Sequence, residues 1–156
     1  MWKPGHSLIK QKMKEVQALL AGEMSGHIFF ADRYFGFDDA IYASLRLLEI
    51  LARSGQSISE LLAGLPQTYA TPEIRVDTRE ELKFKLVEAM KRELAGRFPI
   101  VEVDGVRVLF EDGWGLIRAS NTQPVLVLRF EARSPARLKE IQQFIEGLLT
   151  QVRSRI

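Results

Sequence analysis

Cysteine is absent from the 156 residues, which removes disulfide frameworks, thiolate zinc sites, iron–sulfur ligation and any cysteine nucleophile. The chemistry must come from oxygen and nitrogen groups, and a reducing compartment is permitted. Histidine is scarce: His6 and His27 are the only two, too few for a histidine-rich metal cage. No carboxylates cluster along the chain, so the sequence assigns no metal ligands. A surplus of one charge is missing as well, since 22 basic residues against 20 acidic ones leave +2, well short of a nucleic-acid binder's excess. No apolar run reaches spanning length, and Met1–His6 leads into lysines before a signal core can form. The expectation is a soluble, cytoplasmic protein with neither membrane nor nucleic acid as partner. What is present is an ordinary globular composition, 46% hydrophobic and 27% charged, enough for one full core with an appended piece.

From Ser7 to Leu20 the apolar residues Ile9, Met13, Val16 and Leu20 recur at spacings of three and four, which predicts an amphipathic helix. Lys10, Lys12 and Lys14 read as its solvated face. A glycine-bracketed loop, Gly22–His27, follows, and then the aromatic segment holding Phe29, Phe30, Phe35 and Phe37, read as core. A second helix is expected from Asp38 as cap, running through Ile41, Leu45, Leu48 and Ala52 until Ser54-Gly55. Ser57 and Glu60 form a capping-box pattern over a short helix, and Gly64 to Pro72 reads as a linker.

After that linker come a strand at Glu73–Asp77, a helix capped by Thr78 with Glu81 and burying Leu82, Leu86, Met90 and Leu94, and then strands separated by two Asp-Gly pairs, Asp104-Gly105 and Asp112-Gly113. Ser134 and Pro135 open a last helix carrying Leu138, Ile141, Ile145, Leu148 and Val152. The order is β-α-β-β-β-β-α. The expected fold class is α+β, an antiparallel sheet covered on one face by two helices, preceded by a partial α/β domain. The domains are expected at 1–56, 57–72 (linker with a short helix) and 73–156. Residues 1–56 offer too few strands to bury two helices, so they read as the tail of a larger domain.

Two loops could carry chemistry. In Gly22–His27 the carboxylate of Glu23 can accept from vicinal hydroxyls while Ser25 and His27 donate or accept, a set that suits a sugar's diol edge. The same residues also suit a plain turn in which Glu23 and Ser25 satisfy nearby amides. Arg118, Ser120, Asn121 and Thr122 supply a guanidinium fork, hydroxyls and an amide within one loop, a set that suits phosphate, and equally a polar hairpin loop. His6 stands at a helix entrance, where it reads as a cap. The pair Asp38-Asp39 reads as capping and dipole complement rather than metal ligation.

Taken together, Met1–Lys10 (MWKPGHSLIK), the loop GEMSGH at 22–27, the segment RYFGFDD at 33–39 and the loop RASNT at 118–122 closely resemble the C-terminal part of the α-D-phosphohexomutases, in their bacterial phosphomannomutase/phosphoglucomutase branch. The resemblance runs over essentially the whole chain. It implies a four-domain enzyme that interconverts hexose 1-phosphates and 6-phosphates through a phosphoserine and a bisphosphorylated sugar such as glucose 1,6-bisphosphate, with magnesium. It places Glu23, Ser25, His27 and His6 at the sugar and Arg118, Ser120, Asn121 and Thr122 at the phosphate. The partners it implies are mannose or glucose phosphates and the enzyme's earlier domains.

The family's Thr-Ala-Ser-His-Asn-Pro-type serine motif and its Asp-Gly-Asp-Gly-Asp-type metal loop are not found in these residues. No catalytic residue and no magnesium ligand is therefore expected in this chain, which taken alone is expected to be inert. A stand-alone phosphosugar-binding or regulatory module is the alternative. A module that binds protein or nucleic acid through its basic helices is a third.

Overall fold

Gly5, at a φ of 124°, sits in a backbone region that side chains disfavour and turns the N-terminus into α1 (His6–Val16). Ile9 and Met13 on this helix pack on Phe29 to make a small core. The computed structural model describes all 156 residues, and the chain divides after Leu65 into two units.

In the first unit α1 is shorter than its periodicity predicts. Gln17 turns left-handed (φ 53°), Ala18 N–H closes onto the Met13 carbonyl, and Leu20 leaves the helix for a strand. The strand β1 (Leu20–Gly22) pairs antiparallel with β2 (Ile28–Phe30), so the ladder takes up backbone groups that four further helical residues would have used. Helix α2 (Ala40–Ser54) is capped by Asp39, which accepts from Tyr42 N–H, and not by Asp38. Its apolar stripe has no partner in this unit: Ile41, Leu45 and Leu48 are 77%, 59% and 58% exposed. Phe35 and Phe37 are likewise exposed, and only Phe29 of the four phenylalanines is fully buried. The loop before α2 is held instead by polar ties. Arg46 bonds the Asp32 carboxylate and carbonyl, Arg33 forks onto Glu49, and Tyr34 stacks on Tyr42 at 3.9 Å. The short helix α3 (Ile58–Leu62) forms with both arms of the Ser57–Glu60 capping box.

The second unit carries the main core. Part of the expected linker is a strand, β3 (Tyr69–Ala70), which lies along β8 (Val125–Ala132) beside β4 (Ile74–Asp77). With β5 (Ile100–Val101), β6 (Val106–Phe110) and β7 (Gly113–Ala119), these form one antiparallel sheet in the order β3-β8-β7-β6-β5, with β4 also on β8. Helices α4 (Glu80–Leu94) and α5 (Pro135–Arg153) cover one face. Strand alternation sends Val106, Val108, Ile117, Leu126, Leu128 and Phe130 into that core, all fully buried, each contributing about 1.5–3 kcal/mol.

Three local expectations fail here. Arg79, without a side-chain bond, precedes α4, since Thr78 is drawn into the sheet end through N–H to the Pro124 carbonyl. The pairing of Val101 with Arg107 makes the Asp104-Gly105 connection longer than a two-residue turn. The second turn centres on Glu111-Asp112, with Gly113 already paired to Phe110 and Ala132. A Cβ on Gly113 would meet the Glu131 carbonyl at 2.5 Å, so that glycine serves packing and not the turn. The cap of α5 does form, Ser134 accepting from Arg137 N–H.

Candidate functional site

In the first unit the hairpin β1–β2 and the start of α1 assemble one polar cluster. Glu23 N–H donates to the His27 carbonyl and Gly26 N–H to the Glu23 carbonyl, closing a turn that presents Glu23, Ser25 and His27 together. The two oxygens of Glu23 are shared out. Oε1 accepts Gly5 N–H at 2.6 Å and Oε2 accepts the Ser25 hydroxyl at 3.1 Å. Each carboxylate oxygen has lone-pair capacity left, so the turn-satisfying role and a hydroxyl-binding role are compatible.

His6 does not cap α1, since it is the first helical residue and Gly5 precedes it without a side-chain bond. Its ring instead meets His27 edge-on at 4.5 Å and Phe29 at 5.4 Å. Asp38, displaced from capping, bonds His27 Nδ1 at 2.6 Å and accepts Ile28 N–H at 3.2 Å, with His6 Nε2 3.6 Å away. The predicted sugar residues Glu23, Ser25, His27 and His6 are therefore brought together. Asp38 is the member that reading for caps missed. The neighbouring Asp39 accepts from the Tyr34 hydroxyl and from Tyr42 N–H, in that order of effect, and these bonds hold its carboxyl below the usual carboxylate range while the tyrosine rises.

In the second unit the loop after β7 carries the predicted phosphate residues. Ser120, buried, accepts N–H groups from Thr122 and Gln123 on its hydroxyl oxygen, and its own N–H donates to the Val125 carbonyl. Ser120 shapes the loop, while Asn121 and Thr122 are exposed at its tip. Arg118 alternates outward on β7 and pairs with Asp104 at 3.4 Å. The Asp104-Gly105 connection lies against this strand: a Cβ on Gly105 would sit 2.2 Å from the Ile117 carbonyl and 2.7 Å from Arg118 Cα.

Two cations missed by sequence reading support the same loop. Lys83 is 2% exposed, pairs with Glu80 at 2.6 Å and donates to the Gln123 carbonyl at 3.3 Å. Arg75 donates to the Gln123 side chain at 2.9 Å. The signal for Lys83 was present, because it occupies the apolar stripe of α4 three and seven residues before Leu86 and Met90. A buried ammonium needs partners, and here they are a carboxylate and the loop's own carbonyl.

Magnesium does not fit the carboxylates that its sequence motif would bring to mind. Asp104 is engaged by Arg118 and Asp112 by Arg137 at 2.9 Å, each in a separate turn. No step is assigned to that ion in this chain. No helix is long and apolar enough to cross a membrane.

Comparison with known proteins accounts for both units. Residues 1–69 match the domain model described as phosphoglucomutase/phosphomannomutase, alpha/beta/alpha domain III, and residues 73–148 match that of the C-terminal domain of the same group. A phosphomannomutase/phosphoglucomutase of Pseudomonas putida is 53% identical over 97% of this chain and 33% of its own length. A phosphoglucomutase of Neisseria gonorrhoeae is 50% identical over 96% of this chain and 33% of its own. The crystal structure of a phosphoglucomutase/phosphomannomutase family protein from Burkholderia thailandensis superposes with a TM-score of 0.84 at 48% identity, covering 98% of this chain and 32% of that one. The chain thus spans about a third of the length of the curated relatives it matches.

Proposed function

The chain belongs to the phosphoglucomutase/phosphomannomutase family, and from that premise we propose that it is the sugar- and phosphate-recognition part of a mutase interconverting hexose 1-phosphates and 6-phosphates. The observation that carries the reading is the gathering of His6, Glu23 and His27, distant in sequence, within 4.8 Å of one another beside Ser25. Acceptors and donors so placed match vicinal ring hydroxyls. In the second unit Arg118, Asn121 and Thr122 supply a charge-assisted fork and neutral donors for a phosphate, on a loop that Ser120 and Lys83 hold in shape.

In a reaction through a bisphosphorylated sugar, the non-reacting phosphate sits on either carbon in turn. A holder made of arginine, hydroxyl and amide donors binds the phosphate without reading the carbon that bears it. Glu23 and its neighbours fix ring hydroxyls so that the reacting oxygen is positioned. The phosphoserine, the magnesium and the glucose 1,6-bisphosphate cycle of the reaction belong to motifs outside these residues, so this chain alone binds and does not turn over. The substrates on this reading are mannose and glucose phosphates, whose shared hydroxyls Glu23 and Ser25 do not separate.

The test is kinetic, in a full-length mutase carrying this chain as its last third. Arg118→Ala is expected to cost about 2–4 kcal/mol in kcat/KM, the size of a charge-assisted contact made to a transferring group. A loss under about twofold contradicts the assignment.

A further inference from the structure

We propose that His6, Glu23 and His27 form a binding site for a zinc-class dication, a first-row transition metal of the kind that takes imidazole and carboxylate ligands together. One donor atom from each residue lies within 4.8 Å of the other two, and a metal at ordinary Zn–N and Zn–O lengths of about 2.0–2.2 Å needs donors about 3–3.5 Å apart. Rotation of a few bonds closes that gap. His6 is on the surface at the first position of α1, so its ring can turn toward the other two donors while Glu23 stays where Gly5 and Ser25 hold it.

The cluster is also held in place by groups outside the triad. Glu23 Oε1 grips the N–H of Gly5 at 2.6 Å and so fixes the backbone that delivers His6. Asp38 holds His27 Nδ1 at 2.6 Å and the following N–H at 3.2 Å. A carboxylate on one imidazole nitrogen sets the tautomer and leaves the other nitrogen's lone pair for a metal. Two histidines and one glutamate leave coordination positions open for water or ligand, and half-exposed rings spare the site a large desolvation cost. Imidazole donors select this class of ion over magnesium. The inference rests on the cluster alone and stands whether or not the same residues take sugar hydroxyls.

The chain has no cysteine and no third histidine, which makes the test clean. Cobalt(II) titrated into the full 156-residue chain is expected to give visible ligand-field absorption that saturates at one equivalent, is displaced by zinc and is unaffected by excess magnesium. His27→Gln and Glu23→Gln are each expected to weaken cobalt binding at least about tenfold. His6→Gln, an exposed position whose fold is checked by circular dichroism, is expected to do the same without touching the hairpin. Absence of saturable absorption in the unaltered chain, or unchanged affinity in a folded His6→Gln chain, overturns the proposal.

Discussion

Arg118 already has an anion beside it, so a phosphate arriving at its guanidinium must share it with Asp104. The two groups stand 3.4 Å apart with side chains 24% and 26% exposed, too far for a strong hydrogen bond but close enough to oppose a second negative charge. A phosphate oxygen on the open side of the guanidinium lies roughly 6 Å from that carboxylate. The opposition of one charge pair at that separation is about 0.7 kcal/mol at the dielectric of water and about 2.8 kcal/mol at an effective value of 20. Groups a quarter exposed fall between these limits, at about 1.5 kcal/mol, roughly tenfold in affinity. Asp104→Asn is therefore expected to tighten binding of inorganic phosphate to this chain about tenfold, measured by calorimetric titration at fixed ionic strength. The gain should vanish in a chain that also carries Arg118→Ala. Equal or weaker binding by Asp104→Asn refutes the reasoning, because it makes Asp104 a holder of Arg118 and not a competitor.

Gly105→Ala, at a φ of 84° and with a carbonyl 2.2 Å from the new Cβ, is expected to destabilise the second unit by about 2–4 kcal/mol; a loss under about 1 kcal/mol in urea denaturation contradicts that. Lys83→Met should leave stability within about 1 kcal/mol, since the Glu80 carboxylate left behind is 65% exposed and stays hydrated and an exposed-partner ion pair is worth about 0–1 kcal/mol. The same substitution should weaken phosphate binding about fivefold, whereas unchanged phosphate affinity would reduce Lys83 to packing. Asp39 is held below its ordinary value by Tyr34 and Tyr42, and Glu49 by Arg33. A lowered folded value contributes stability that is present above about pH 4 and is lost as pH falls through that value. The first unit should therefore melt progressively earlier below about pH 4, and Asp39→Asn should flatten that acid limb; an equally steep limb in the variant argues against it.

The second unit was largely legible in its sequence because one signal repeated at every level. Period-two strands, a buried stripe on each helix and the Ser134–Pro135 start all point to the same sheet-and-helix layer, which forms. What pattern could not supply was register. Asp-Gly pairs mark turns by local preference, but cross-strand pairing moved one turn back onto Glu111-Asp112 and lengthened the other. In the first unit the periodicity of α2 correctly marked a helix, yet its apolar stripe has no partner there, since amphipathicity predicts burial only where a second surface exists. Proximity across the chain was equally invisible. Nothing local distinguishes the cap Asp39 from Asp38, which the fold delivers to His27, and two histidines 21 positions apart do not announce that their rings will meet.

The most direct measurement is a backbone-amide chemical-shift titration of the 156-residue chain with three ligands. Mannose is expected to move amides at Glu23, Ser25 and His27, inorganic phosphate those at Arg118, Asn121 and Thr122, and mannose 6-phosphate both sets at millimolar concentration. Absence of shifts with mannose 6-phosphate, or shifts confined to residues outside both sets, contradicts the claim that this chain recognises a sugar phosphate.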